Sequence, residues 1–258
     1  MTFKQKNTNY QKMKTVLFLV VFFCFYQKSI AQEFEWAYTI PGLTVQNNEF
    51  NYSRIEDIIT NSNNEIYLTG YIEGPHDFGN QSVLQPSLFN SRRFLVKLDE
   101  NKNFIWVKHL FTGSFFNLSI TLDNNENLVI GGTCASNSGI ISFDPNFHPI
   151  LNPTNVHGNI EEGTYYGFVF KLDGQGNYLN SKIYEDNRIL DITLDNDDNI
   201  VAVGSDVAKW DASNNADFLY LRAFITKLDT NLNTIWDKTY SNPNDNHNAF
   251  YAVGIDSQ

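Results

Sequence analysis

A ten-residue pattern written three times constrains this chain more than any other feature. Phe94–Asn103 reads Phe-Leu-Val-Lys-Leu-Asp-Glu-Asn-Lys-Asn, Phe168–Asn177 reads Phe-Val-Phe-Lys-Leu-Asp-Gly-Gln-Gly-Asn, and Phe224–Asn233 reads Phe-Ile-Thr-Lys-Leu-Asp-Thr-Asn-Leu-Asn. Each copy is a short apolar strand followed by Asp and Asn, residues whose side chains bond their own backbone and so close turns. A chain written in such copies folds by packing one supersecondary unit against the next. The repeat therefore speaks to architecture before it speaks to chemistry.

The unit belongs to a longer cycle. Ile55–Thr60, the polar turn 61–64 and Glu65–Gly70 predict a hairpin. After a long connection come Phe94–Leu98, the turn Asp99–Asn103 and Phe104–Leu110, which complete a four-stranded antiparallel sheet. The cycle restarts at Leu118–Asp123 with Leu128–Gly132, and again at Ile189–Asp195 with Ile200–Gly204, making Gly70, Gly132 and Gly204 equivalent positions. The closing strand recurs around Trp106, Asn180 and Trp236, with Lys108, Lys182 and Lys238 two places on. Phe250–Asp256 matches the opening strand of a fourth cycle, and Glu35-Trp36-Ala37-Tyr38 reads as a closing strand that would complete a blade across a ring closure.

These cycles predict an all-β fold, a β-propeller of four-stranded antiparallel blades at about 55–110, 117–184 and 189–240, with a fourth begun at 249. Propellers close with about four to eight blades, and three plus one strand would leave open sheet edges. On this reading residues 32–258 are a partial propeller, a fragment whose remaining blades and any C-terminal sorting domain lie elsewhere in a parent chain, or whose edges close by self-association. The cycle exceeds the about 40 to 50 residues of compact propeller repeats. The excess falls each time between the second and third strands, at 71–93, 133–167 and 205–223, which places long loops on one face of the ring.

The N-terminus carries an export pattern. Val16–Tyr26 is an apolar run preceded by Lys12 and Lys14 and followed by Ser29-Ile30-Ala31, the order of a signal peptide cleaved after Ala31. Met13 is a second candidate start. The run is short against the roughly 20 residues that span a bilayer, and Cys24 lacks the small residues that a lipidation motif places before its cysteine. No membrane insertion is expected after cleavage of residues 1–31. Formal net charge is −11, and cleavage removes Lys4, Lys6, Lys12, Lys14 and Lys28 but no acid, so the mature surface repels phosphate backbones and excludes nucleic acid as a partner. Cys134 is then the only cysteine left; it follows an apolar strand pattern and reads as a buried inert thiol.

Ile-Thr-Leu-Asp-x-x-x-Asn, an apolar strand ending in glycine, Phe-Val-x-Lys-Leu-Asp-x-x-x-Asn and then Ile-Trp together resemble the SBBP-type bacterial β-propeller repeat over roughly residues 33 to 258. Gly74-Pro75-His76-Asp77-Phe78-Gly79 is similar to that family's Gly-x-x-Asp-Phe-Gly connection, while the second and third cycles keep only Phe143-Asp144 and Asp217-Phe218 in loosely related places. The resemblance implies a protein secreted by a Gram-negative bacterium or held on its outer surface or in its periplasm. It implies a scaffold or binding role and supplies no catalytic motif.

For chemistry the residues offer four groups. Aromatics in or beside the long connections, with Tyr71, Phe78, Phe143, Tyr165, Tyr166 and Trp210 foremost, could stack on a glycan or anchor a protein. Asp195, Asp197 and Asn199 alternate as calcium ligands do, but Ile200 stands where a calcium loop needs glycine, so a capped turn is the expected role and no cofactor is required. The loop acids Asp77, Asp144, Glu161, Glu162, Asp211 and Asp217 could serve a glycoside hydrolase or lyase, yet no spacing singles out a pair. His76, His109, His148, His157 and His247 form no metal motif. The reading favoured is a secreted, non-enzymatic module binding a protein or glycan. A carbohydrate-active propeller enzyme is the alternative, and a purely structural repeat of a surface adhesin the third.

Overall fold

Twelve long strands form three sheets, each closed by the same two kinds of hairpin. The computed structural model describes residues 52–73, 76–78, 83–84, 92–110, 114–135, 140–141, 158–159, 165–185, 187–207, 221–241 and 248–256. In chain order the strands are β1 (Tyr52–Thr60), β2 (Ile66–Glu73), β3 (His76–Asp77), β4 (Val83–Leu84), β5 (Arg92–Leu98), β6 (Phe104–Leu110), β7 (Ser114–Leu122) and β8 (Leu128–Ala135). They continue as β9 (Ile140–Ile141), β10 (Gly158–Asn159), β11 (Tyr165–Leu172), β12 (Tyr178–Glu185), β13 (Asn187–Leu194), β14 (Ile200–Val207), β15 (Leu221–Leu228) and β16 (Thr234–Tyr240). No helix occurs among the described residues.

The first sheet runs β1-β2-β5-β6, the second β7-β8-β11-β12 and the third β13-β14-β15-β16, all antiparallel. Each is therefore a meander in chain order, as the repeat predicts. The ribbons β3–β4 and β9–β10 lie in the long connections between second and third strands.

Six five-residue turns close the hairpins: 61–65, 99–103, 123–127, 173–177, 195–199 and 229–233. In each, the first residue's N–H donates to the fifth residue's carbonyl at 2.9–3.0 Å. The first side chain accepts the fifth residue's N–H, as Asp99 accepts from Asn103 at 2.8 Å and Asp123 from Asn127 at 2.9 Å. The fourth residue is left-handed every time: Asn64, Lys102, Glu126, Gly176, Asp198 and Leu232 have φ between 58° and 77°. One turn chemistry thus serves both hairpins of every sheet.

The equivalent glycines answer to a bulge. Gly70, Gly132 and Gly204 pair with Phe94, Phe168 and Phe224 on the third strands. The first strand breaks register opposite them, between Ile55 and Asp57 and between Ile189 and Asp191. The bulge drives a carbonyl onto the second strand, so a Cβ on Gly70 would lie 2.3 Å from the Arg54 oxygen and one on Gly204 1.9 Å from the Arg188 oxygen. Only glycine fits there.

Packing follows the period of two. In the second sheet Leu128, Ile130, Phe168 and Phe170 face the first sheet, joining Tyr67, Leu95 and Trp106. Val129 and Val169, one place along, face the third sheet and join Ile189, Ile200, Ala202 and Phe224. The middle strands are buried on both faces, which is why β14 reads Ile-Val-Ala-Val with no polar alternation. The far face of the first sheet is covered by Phe78, which packs on Phe94 and Phe104 with ring centroids 5.3 and 5.7 Å away. The first strands converge, with β1 against β7 and β7 against β13.

Residues 248–256 are the segment expected to open a fourth cycle. They lie beside the third sheet, with the Asn248 and Phe250 N–H groups donating to the Leu221 and Gly204 carbonyls at 3.0 Å, but they carry no strand ladder. A ladder needs a second strand, and the described residues hold none on their other side.

Candidate functional site

Charged groups sit at the same places in every sheet. The lysine of Lys-Leu-Asp reaches across strands to the acid of the neighbouring turn: Lys97 to Glu65 at 2.8 Å, Lys171 to Asp123 at 2.8 Å and Lys227 to Asp195 at 2.6 Å. In the first sheet acid and amide exchange ends of the turn, with Asn61 first and Glu65 fifth, and Asn61 Nδ2 donates to Glu65 at 2.7 Å. The ion pair survives the exchange because both ends of the turn converge on the lysine. Burial pushes the Asp123 carboxyl up, but the Lys171 ammonium and the Asn127 amide and N–H outweigh it and hold the group below its usual range.

The same lysines tie one sheet to the next. Lys97 Nζ donates to the Gly174 carbonyl at 3.4 Å and Lys171 Nζ to the Thr230 carbonyl at 3.3 Å, the second residue of the following sheet's turn in both cases. Trp106 Nε1 donates to that same Gly174 carbonyl at 3.2 Å, and Asn180 Nδ2 to the Asn231 carbonyl at 2.9 Å. At the other turn, Glu126 accepts from Asn61 Nδ2 at 3.1 Å and Ser62 Oγ at 2.9 Å, and Asp198 accepts the Asn124 N–H. The repeated motif is thus a joint between sheets.

Where the first strands converge, a cavity of about 570 Å³ is lined by Arg54, Glu56, Asp57, Ser119, Asp191 and Tyr251, among others. Asp57 accepts the Ile58 and Ile120 N–H groups, both at 2.8 Å. Asp191 accepts Ser119 Oγ–H at 2.7 Å, the Ile192 N–H at 2.9 Å and the Val253 N–H at 2.8 Å. Glu56 lies between Arg54 at 2.7 Å and Arg93 at 3.0 Å. Among the described residues, each Asp57 oxygen and Asp191 Oδ2 accepts one hydrogen bond, and a carboxylate oxygen has capacity for two. Tyr251, which also lines this cavity, is 79% exposed. Such a wall suits hydrogen bonding and stacking.

Of the residues anticipated as ligand contacts, the structure describes the side chains of Phe78, Tyr166 and Tyr71, and none of these three lines the cavity. Phe78 is fully buried in the core of the first sheet. Tyr166 is buried between the first and second sheets. Tyr71 is half-buried, with the Arg93 guanidinium 4.8 Å from its ring centroid. Phe143, Trp210 and the side chain of Tyr165 lie outside the described residues, as do Asp144, Glu161, Glu162, Asp211, Asp217, the side chain of Asp77 and the export segment 1–31.

At the calcium candidates, Asp195 accepts the Asp197 and Asn199 N–H groups, and its second oxygen takes Asn199 Nδ2 at 3.0 Å together with Lys227. An ammonium therefore stands where a cation would bind, and Asn199 turns its NH₂ toward the carboxylate. Cys134 is buried, and burial pushes its thiol well above the ordinary range.

Sequence reasoning passed over Asp57, Ser119 and Asp191, though a sign was present. They occupy one register position, four residues before the first turn of each sheet, and that position is polar in all three opening strands. No family model matches this chain, and neither does any curated protein.

Proposed function

We propose that the three sheets are blades of a β-propeller and that the chain is an exported, non-catalytic module binding a protein or glycan. The observation that carries this reading is the cavity at the converging first strands, where the exposed Tyr251 stands beside the acceptors Asp57 and Asp191. Convergence of first strands and a joint repeated from sheet to sheet support radial stacking, in which such a cavity lies on the axis. Backbone N–H groups hold Asp57 and Asp191 in place, which favours a fixed recognition surface over proton transfer. The leader-like segment before Ala31 and the likeness to the SBBP-type repeat support export.

The test is a screen of the processed chain on glycan and peptide arrays, repeated with Tyr251→Ala and with Asp57→Asn/Asp191→Asn. Binding lost in both variants supports the reading; binding unchanged in both refutes the axial site. Turnover of a polysaccharide, abolished by replacing Asp144 or Asp211, would replace the binding module with the carbohydrate-active enzyme.

A further inference from the structure

We infer that the outer face of the third sheet is the seat of a fourth four-stranded sheet of this same repeat, in the same polypeptide, with residues 248–256 as its first strand. The inference rests on the propeller reading but not on its ligand, and it concerns a face rather than the cavity.

The joint between sheets has three parts that recur at fixed positions. A first-strand side chain accepts a backbone N–H from the next sheet's first strand, as Asp57 does from Ile120 at 2.8 Å and Ser119 Oγ does from Ile192 at 3.4 Å. A third-strand lysine reaches the next turn's second carbonyl, as Lys97 and Lys171 do. A fourth-strand side chain donates to the same turn, as Trp106 and Asn180 do.

On the third sheet the first part is already assembled. Asp191 accepts the Val253 N–H at 2.8 Å, and Val253 stands in the register position of Ile120. The other two parts are in place but uncovered. The Lys227 side chain is 26% exposed where Lys97 and Lys171 are each 10%. Trp236 is 37% exposed where its counterpart Trp106 is 9%. Tyr240, on the same side of β16 as Trp236, is 51% exposed, where its counterpart Tyr184 packs against the core of the next sheet beside Phe224. Ile255, on the segment that would open the next sheet, is 42% exposed.

Apolar exposure on this scale, on the face that the two preceding sheets bury, marks an interface. Its chemistry names the occupant. The occupant must present a five-residue turn whose second carbonyl points at Lys227 and Trp236, which is the Asp-x-x-x-Asn turn of this repeat. It must also continue a first strand already hydrogen-bonded to Asp191, which a second copy of the chain, bringing its own β1, could not do without displacing residues 248–256.

The experiment extends the full chain. Asp256, Ser257 and Gln258 stand in register with Asp123, Asn124 and Asn125, so a copy of residues 126–185 is appended directly after Gln258. That copy contains no tryptophan. The readout is acrylamide quenching assigned to Trp236 by difference from Trp236→Phe, with sedimentation to fix the oligomeric state.

The unextended chain is expected to be a monomer with Trp236 quenchable. The extended chain should protect Trp236 about fourfold, the ratio of its exposure to that of Trp106, and Lys227→Met should weaken that protection. A scrambled appendage should protect nothing. Unchanged quenching in the extended chain overturns the inference. So does an unextended chain that already protects Trp236, as a dimer through a second copy or as a monomer through its own residues. Glycan or peptide binding by the unextended chain is read separately, so failure of the ligand reading leaves this result standing.

Discussion

Replacing Lys171 with methionine isolates the joint that the repeat encodes. The ammonium sits 2.8 Å from an Asp123 carboxylate only 3% exposed, and it also donates to the Thr230 carbonyl of the third sheet. Removing one partner of a buried pair costs about 3–5 kcal/mol. Asp123 keeps N–H donors from Asn125 and Asn127 and the Asn127 amide, which brings the expected loss to about 2–3 kcal/mol. Lys227→Met breaks the same pair on a more exposed face, with side chains 26% and 15% exposed, and should cost only about 1 kcal/mol. Urea unfolding at neutral pH measures both, and a double-mutant cycle of Lys171→Met with Asp123→Asn should return a coupling of at least about 1 kcal/mol.

Acid titration gives a second readout. The folded-state pKa of Asp123 lies below its ordinary value. Its contribution is therefore complete above the unfolded value of about 3.9 and is lost as the pH falls through the folded value. Lys171→Met should flatten that acid limb. Equal losses at the two lysines, or an additive cycle, would refute the account of the motif as a buried joint.

Gly204→Ala should destabilise by about 1–3 kcal/mol in urea unfolding, because its Cβ falls 1.9 Å from the Arg188 oxygen; a neutral outcome would mean that the bulge can relax. Lys102→Gly should stabilise by up to about 1 kcal/mol, since Lys102 holds a left-handed φ of 70° that glycine adopts freely, and a loss on chemical denaturation would count against that. Phe78→Ala should lower stability by about 3–5 kcal/mol through the core of the first sheet, visible as a fall in the urea midpoint; ligand binding lost with stability intact would return Phe78 to the list of contacts. Cys134, buried in the structure, should react with a thiol reagent at pH 8 only on unfolding when measured in a Cys24→Ser background, and rapid labelling of the native protein would contradict its burial.

The sequence by itself determined what short-range rules control. Alternation and turn chemistry act within a few residues, so the strands around Phe94, Phe168 and Phe224 and the turns at Asp99, Asp173 and Asp229 are legible without any fold. Bounds differ by only a few residues, as where β1 begins at Tyr52 rather than Ile55. The equivalence of Gly70, Gly132 and Gly204 was legible too, although the cause at Gly70 and Gly204, a carbonyl thrust out by a bulge on another strand, was not.

Tertiary structure decided everything that joins residues far apart in the chain. Lys97 meets Glu65 within its sheet and Gly174 in the next one, and the exchange of acid and amide between Asn61 and Glu65 makes sense only once that lysine is in place. Phe78 looked like a loop aromatic and proved to be a core residue, because a segment between strands folds back over the sheet it leaves. The cavity residues Asp57, Ser119 and Asp191 belong to three different repeats and meet only when first strands converge. Local chemistry is written once per repeat; joints and cavities arise between repeats, from three-dimensional packing that no single repeat contains.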